Sequence, residues 1–141
     1  MAGRVNLRET TAPYQELIGW EYREAENGSC DSALEVRDEL MNSRQALKSL
    51  HGGAIYSLAD GAMGGALYSA LSEKEWATTV GMNIAYFRSV ASGTLSCTAK
   101  IIHRGDRLAT LEAEIRSDGN LVAKATGTWY IFKLTGPVEQ A

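Results

Sequence analysis

The segment His51-Gly52-Gly53, followed by Asp60, contains residue types that anion binding and acid–base chemistry require. A helix that begins here would present unpaired backbone N–H groups, and glycines would let a ligand oxygen approach them without meeting a Cβ atom. Asp60 follows two turns later among small and apolar residues, where an unpaired charge is costly. Gly64, one turn beyond, is expected to leave open space over the carboxylate. The pattern predicts a cradle for an oxyanion or a phosphate beside a candidate functional acid.

Each of these features also has an ordinary structural explanation. A Gly-Gly pair is commonly a turn, and His51 is often a residue that starts a helix or packs against it. Asp60 on a helix interrupted by glycines could face solvent. The apolar residues on either side of Asp60 favour its burial instead, and a buried acid without a structural partner is a functional candidate.

The hydrophobic periodicity predicts the elements that position these residues. Residues 52–72 have apolar side chains at helical spacing, but five glycines make an isolated helix unstable, so a sheet should bury this helix on nearly all sides. Strand-like runs over residues 17–25 and 33–40 precede it, separated by the hairpin signal Asn27-Gly28. Residues 41–50 are polar and predict a loop with a turn of helix.

From Ala77 onward the hydrophobic period changes to two. Strict alternation in the first of these strands would put Thr79 and Met82 on opposite faces. Two-residue turns at Gly105-Asp106 and Asp118-Gly119 imply consecutive antiparallel strands. The predicted fold class is α+β, with one long helix against an antiparallel sheet of at least five strands.

Size and composition limit the organisation and the function. The 141 residues, 45% hydrophobic and 22% charged, fit one globular domain. We place this domain at residues 17–134, between an N-terminal arm over 1–16 and a C-terminal tail over 135–141. A net charge of −3 gives no basic surplus for nucleic acid. The lack of a signal peptide and of a long uncharged apolar run predicts a cytoplasmic protein with no membrane partner.

Cysteine and histidine are scarce in this chain, with two residues of each. A structural zinc site usually needs four such ligands, so no metal is expected. Cys30 and Cys97 are expected to be reduced thiols.

The pattern as a whole resembles the phenylacetate-degradation (PaaI-like) acyl-CoA thioesterases of the hotdog fold. The resemblance covers about Val36 to Phe132 and is carried by His51-Gly52-Gly53, Ser57-Leu58-Ala59-Asp60, residues 79–88, Gly93-Thr94-Leu95, Gly105 before Arg107-Leu108, and residues 118–128. It implies a long central helix wrapped by an antiparallel sheet. It also implies a homodimer, usually paired again into a homotetramer, with each active site between two subunits.

The resemblance also implies roles for the matching residues. The Gly52 amide would hold the thioester carbonyl, with His51 and Gly53 beside it. Asp60 of the partner chain would act as general base or nucleophile. Thr79 would assist the attacking water, with Thr78 next to it.

An Asn or Gln upstream of His-Gly-Gly commonly orients substrate or water in the family. Asn42 and Gln45 both match this role, and the loop between them and His51 departs from the family because no glycine interrupts it. Coenzyme A is part of the substrate, so no separate cofactor is expected. Its phosphates favour cations at the pocket rim, and the candidates are Arg88, Arg104 and Arg107, although surface arginines are ordinary.

The function predicted from these observations is hydrolysis of an acyl-CoA to a free acid and coenzyme A. A non-catalytic acyl-CoA or lipid-binding protein using the same pocket is the alternative, and the presence of Asp60 and Thr79 disfavours it. A hotdog dehydratase is a weaker alternative, because neither His51 nor His103 follows an aspartate at the Asp-x-x-x-x-His spacing. A purely structural oligomerisation module would need no acid on the helix.

Overall fold

In the computed structural model, which describes residues 11–134, one long helix lies across a six-stranded antiparallel sheet. The elements along the chain are α1 (Pro13–Ile18), β1 (Glu21–Glu26), β2 (Ser29–Glu35), a 3₁₀ turn (Asp38–Leu40), α2 (Gly52–Tyr68), β3 (Glu75–Tyr86), β4 (Thr94–Arg104), β5 (Leu108–Ser117) and β6 (Asn120–Lys133). The strands lie in the order β1-β2-β4-β5-β6-β3, and every neighbouring pair is antiparallel. The predicted α+β class is confirmed.

Two of the predicted hairpin turns depend on residues that tolerate a positive φ. Asn27 and Gly28 have φ of 50° and 86° between β1 and β2. Asp118 and Gly119 have φ of 50° and 78° between β5 and β6. Two successive positive φ angles match the right-handed twist of the flanking strands, which is why Asn-Gly and Asp-Gly are strong hairpin signals.

The first strand begins later than predicted, because the chain before it forms α1. Pro13 occupies the first turn of this helix, and Gly19 ends it with a φ of 99°. The Arg37 guanidinium donates to the Leu17 and Ile18 carbonyls, which have no helical partner at this end. The strand predicted over residues 17–25 is therefore wrong in its first part.

The second strand ends earlier than predicted, because its neighbour in the sheet begins at Thr94. Glu35 is the register partner of Thr94, and beyond it β2 has no residue of β4 to pair with. The chain leaves the sheet and forms the 3₁₀ turn, where the Leu40 amide donates to the Arg37 carbonyl. A strand over residues 33–40 is therefore wrong in its second part.

The glycines of α2 are contact points for aromatic rings. A Cβ atom at Gly61 would lie 2.5 Å from the Trp20 ring, and one at Gly65 would lie 2.8 Å from the Tyr22 ring. Ten residues of α2 are buried, and eight of them form one hydrophobic core with the inner face of the sheet. Burial thus stabilises a helix that its glycine content disfavours. The helix ends at Tyr68, four residues before the predicted end.

Among the residues that the structure describes, no helix is long and apolar enough to cross a membrane. The same residues contain no group of three or more His, Cys, Asp or Glu side chains that could hold a metal ion. Cys30 and Cys97 are buried and unbonded to each other, and burial raises the pKa of the Cys30 thiol to about 11. Most of the predicted arm and the whole predicted tail lie outside the described residues.

Candidate active site

The first turn of α2 leaves one backbone amide available to a ligand. His51 is the N-cap residue, and its imidazole Nδ1 accepts the Gly53 N–H over 2.7 Å. The His51 carbonyl accepts the Ala54 N–H. Within residues 11–134 the Gly52 N–H has no acceptor, so it can donate to a substrate oxygen. The Gly53 N–H, also predicted to contact substrate, is already bonded to His51.

Tyr86, at the end of β3, packs against the same turn and was missed by the sequence analysis. Its hydroxyl donates to the Gly52 carbonyl over 2.8 Å. A Cβ atom at residue 52 would lie 3.3 Å from the ring carbon Cζ and from the hydroxyl oxygen. The absence of a side chain at Gly52 leaves room for the Tyr86 ring. It also lets a ligand oxygen approach the available N–H without meeting a Cβ atom. A tyrosine ending an alternating strand gives no signal for such a contact.

Asp60 lies half-buried in the middle of α2 and forms a side-chain hydrogen bond with a residue of β3. The Thr79 hydroxyl donates to Asp60 Oδ1 over 2.8 Å. Burial raises the pKa of Asp60, and the hydrogen bond from Thr79 opposes this rise because it stabilises the carboxylate. The two side chains are in the arrangement that a water-activating pair requires, and their catalytic roles stay predictions.

A β-bulge lets Thr79 and Met82 share the face of β3 that packs against α2. The register between β3 and β6 shifts between Thr79 and Gly81, and Val80 is the extra residue, 61% exposed. Thr79 and Met82 consequently both face the helix. The prediction that these two residues point to opposite faces is wrong, because a bulge reverses the alternation beyond it.

The two candidate groups on α2 are too far apart to act on one carbonyl. Gly52 and Asp60 are separated by eight residues of continuous helix, which is about 12 Å at 1.5 Å per residue. A thioester oxygen held by the Gly52 amide therefore cannot have its carbonyl carbon beside Asp60 of the same chain.

A family model described as the thioesterase superfamily matches residues 47–124, which is more than half of the chain. The chain belongs to this superfamily. The matched residues contain the His-Gly-Gly segment, Asp60 and Thr79. Membership makes the protein a hydrolase of the hotdog thioesterase class.

Individual relatives agree with the family match. The solved structure of conserved protein PA5202 from Pseudomonas aeruginosa is 32% identical, with a match covering 91% of this chain and 100% of that chain and a TM-score of 0.83. The solved structure of a mutant of the phenylacetic acid degradation protein PaaI from Thermus thermophilus is 29% identical. The match covers 84% of this chain and 98% of that chain, with a TM-score of 0.76. A Saccharolobus solfataricus protein, named as an inferred esterase, is 26% identical, with 88% and 81% covered. The resemblance to PaaI-like hotdog thioesterases is confirmed.

Two residues predicted to contact substrate in this thioesterase have surroundings that differ from those expected. Thr78 is exposed on the opposite face of β3 from Thr79, because adjacent strand residues point to opposite sides. Gly64 leaves no open space over the carboxylate, because the buried Trp129 ring lies 3.1 Å from the position of its absent Cβ. Trp129 is also the register partner of Thr79, so it forms the wall beside the acid.

In this thioesterase, Asn42 closes the loop over residues 41–50 by bonding to Ser49. The Asn42 side chain accepts the Ser49 N–H and donates to the Ser49 hydroxyl, both over 3.1 Å. The backbone bridge between Met41 and Leu50 continues this pairing. Gln45 lies exposed between these two ends of the loop. Within residues 11–134 neither amide side chain forms a hydrogen bond with Asp60, Thr79 or Gly52.

The three candidate arginines lie in three different parts of the fold. Arg104 pairs with Glu75 and donates to the Ala70 carbonyl just beyond α2, so it links β4 to the opposite end of the helix from Gly52. This ion pair and its distance from the helix start count against the prediction that Arg104 binds phosphate. Arg107 is exposed at the β4–β5 turn. Arg88 follows β3 beside the helix start and lines a cleft of about 200 Å³.

Proposed function

We propose that this protein hydrolyses acyl-CoA thioesters in an active site formed by two copies of the chain. One copy contributes the Gly52 amide, and the other contributes Asp60 with Thr79. The observation that carries the proposal is the distance of about 12 Å between Gly52 and Asp60 on one helix. Two antiparallel helices from different copies can bring these groups to one carbonyl, whereas one straight helix cannot.

The edge of the sheet offers a way to bring two copies together. On its outer side β3 has no partner strand within residues 11–134. An edge strand with unpaired N–H and C=O groups readily pairs with another strand. Pairing of β3 with β3 would place each Asp60–Thr79 pair next to the boundary between copies. We extend the proposal to a homodimer of this kind, paired again into a homotetramer.

The chemistry follows from the groups present. The Gly52 N–H donates to the thioester oxygen and stabilises the negative charge that develops there. Asp60 accepts a proton from water as the water oxygen bonds to the carbonyl carbon. The tetrahedral intermediate then breaks its carbon–sulfur bond, and the proton passes to the sulfur. One acyl-CoA and one water thus become a carboxylic acid and free coenzyme A.

Thr79 determines which oxygen of Asp60 reacts. Its hydroxyl donates to Oδ1, and among the described residues Oδ2 has no hydrogen-bond donor. Oδ2 is therefore free to accept a proton from water or to attack the carbonyl carbon itself. Single-turnover hydrolysis in ¹⁸O-labelled water separates the two routes. Direct water attack puts the label in the released acid, whereas attack by Asp60 can leave label in the protein after one turnover.

The experiment that tests the proposal is release of free thiol from a panel of acyl-CoAs. The panel contains aromatic, short-chain and long-chain acyl groups, so that each of these substrate classes is tested. We expect hydrolysis of at least one class, with Asp60→Asn as the matched inactive protein. Tight binding of acyl-CoA without thiol release would contradict the proposal and favour a non-catalytic binding protein.

A further inference from the structure

The peptide unit between Gly52 and Gly53 is bonded at both ends by side chains. Its N–H donates to the His51 imidazole, and its carbonyl oxygen accepts from the Tyr86 hydroxyl. A peptide unit is planar, so two hydrogen bonds at opposite ends fix its orientation. Glycine has the largest range of backbone conformations, so a Gly-Gly segment is where such restraint matters most.

The peptide unit before Gly52 is also restrained. The His51 carbonyl accepts the Ala54 N–H over 3.0 Å, which is the first backbone bond of the helix. The Gly52 N–H belongs to this unit, so its direction depends on the two units that meet at the Gly52 Cα atom. Of the groups involved, Tyr86 alone comes from β3. It therefore ties the available amide to the strand that also carries Thr79.

We propose that Tyr86 is a positioning residue for the oxyanion-binding amide of Gly52. The inference rests on the proposed function, in which this amide stabilises the charge on the thioester oxygen. Tyr86 does not contact substrate in this role. It holds the helix start at a fixed place relative to β3, so that the N–H points to the position that the oxyanion will occupy. Preorganised donors of this kind stabilise the transition state more than the bound substrate.

The state of the Tyr86 hydroxyl is consistent with this role. Burial raises the pKa of Tyr86, and the nearby Tyr56 raises it further. The hydroxyl therefore keeps its proton at neutral pH and can donate to the Gly52 carbonyl.

The first test is Tyr86→Phe, which keeps the ring against Gly52 and removes only the donor. We expect kcat to fall about three- to tenfold with little change in KM, since the lost interaction acts in the transition state. The matched control is Tyr130→Phe, because Tyr130 is exposed on β6 and pairs with the outward-facing Thr78. A Tyr86→Phe enzyme with unchanged kcat would overturn the inference.

A second variant separates positioning from general structural support. Gly52→Pro removes the amide N–H at a helix position where proline is tolerated, and His51 already has the extended ψ of 134° that a residue before proline requires. Its Cβ atom, 3.3 Å from the exposed Tyr86 ring, requires that ring to shift by a few tenths of an ångström. Gly52→Ala adds the same Cβ atom and keeps the N–H, so it is the matched control. If Tyr86 acts through this N–H, Tyr86→Phe should cause no further loss of kcat in the Gly52→Pro background. An equal loss in both backgrounds would contradict the inference.

A measurement without substrate keeps the inference separate from the proposed function. Amide hydrogen exchange at Gly53 reports how firmly the Gly52–Gly53 peptide unit is held. We expect exchange to be several-fold faster in Tyr86→Phe than in the wild type and in Tyr130→Phe. Unchanged exchange would overturn the positioning role. A wild type that hydrolyses no acyl-CoA, with exchange altered as expected, would instead contradict the proposed function alone.

Discussion

The two edges of the sheet in residues 11–134 differ in length and in charge. β1 has six residues, of which four are charged, and its register is interrupted between Tyr22 and Glu24. β3 has twelve residues, of which Glu75 alone is charged, and it exposes Val80 and Tyr86. Each edge has one register shift, in β3 between Thr79 and Gly81, so the edges differ in length and charge rather than in regularity. Charges on an edge discourage pairing with another strand, whereas a long neutral edge permits it. The comparison favours β3 as the interface of the proposed dimer.

The two edge strands also differ in their contacts with the candidate catalytic groups. β3 contributes Thr79, which bonds to Asp60, and Tyr86, which bonds to Gly52. β1 contributes Tyr22, which donates to the Gly61 carbonyl and packs on the helix. One edge thus combines the proposed dimer interface with contacts to both candidate catalytic groups, and the other mainly supports the core.

The largest expected effect comes from placing a charge on the neutral edge. We expect Val80→Glu to give a monomer and to lower kcat/KM by about a hundredfold or more, because two copies are needed for one site. Folding should survive, since Val80 is 61% exposed. Sedimentation and thiol release measure the two effects. The matched change on β1, Arg23→Glu, should leave both unaltered, and a dimeric, active Val80→Glu protein would refute the role of β3.

A loss of similar size is expected from Asp60→Asn, which keeps the shape of the side chain and removes the base. We expect kcat to fall by about a hundredfold or more, the usual contribution of a positioned general base. KM should change little, because the Gly52 amide still holds the carbonyl. The assembly should persist, which distinguishes this variant from Val80→Glu. Hydrolysis of every acyl-CoA at the wild-type rate would show that Asp60 is structural.

A smaller effect is expected from Thr79→Ala. Loss of one hydrogen bond to Asp60 should lower kcat about tenfold, or about 1.4 kcal/mol in the activation free energy, because water can partly replace the hydroxyl. Thr78→Ala, on the outer face of the same strand, is the matched control and should be neutral. Equal losses for the two variants would contradict the assignment of Thr78 and Thr79 to opposite faces of β3.

The smallest expected effect is on stability. Burial raises the pKa of Asp60 in the folded state, so its contribution to the free energy of unfolding is fully present below the ordinary aspartate pKa and is lost as the pH rises through the folded value. Asp60→Asn should therefore have a Tm a few degrees above the wild type at neutral pH. Thermal unfolding below about pH 4 should show the difference disappearing. A Tm difference that grows on acidification would contradict the sign of the shift.

The fold was predictable from the sequence where local chemistry and periodicity agree. Asn27-Gly28 and Asp118-Gly119 specify their own turns, and the change of period after α2 marks the start of the four strands that follow the helix. The residue at which β1 begins and the residue at which β2 ends were not predictable. They depend on the capping of α1 by Arg37 and on the residue at which β4 begins, and both are tertiary contacts.

The candidate site was predictable in its residue types but not in its contacts. Asp60 and Gly52 are conspicuous because their neighbours are small and apolar. Three features leave no periodic signal: the bulge that puts Thr79 and Met82 on the same face, the bond from Tyr86, and the Trp129 ring over Gly64. Each depends on pairing between strands that are distant along the chain.

The most direct test of a two-chain active site is complementation between two variants of low activity. Gly52→Pro lacks the oxyanion-binding amide, and Asp60→Asn lacks the base, so each homodimer should retain about a hundredth of the wild-type activity or less. Mixed dimers contain one site with both groups intact. Random reassembly of equal amounts should give half mixed dimers with one of two sites active, so we predict recovery of about a quarter of the wild-type activity. Reassembled mixtures no more active than the separate variants would contradict a site shared between two chains.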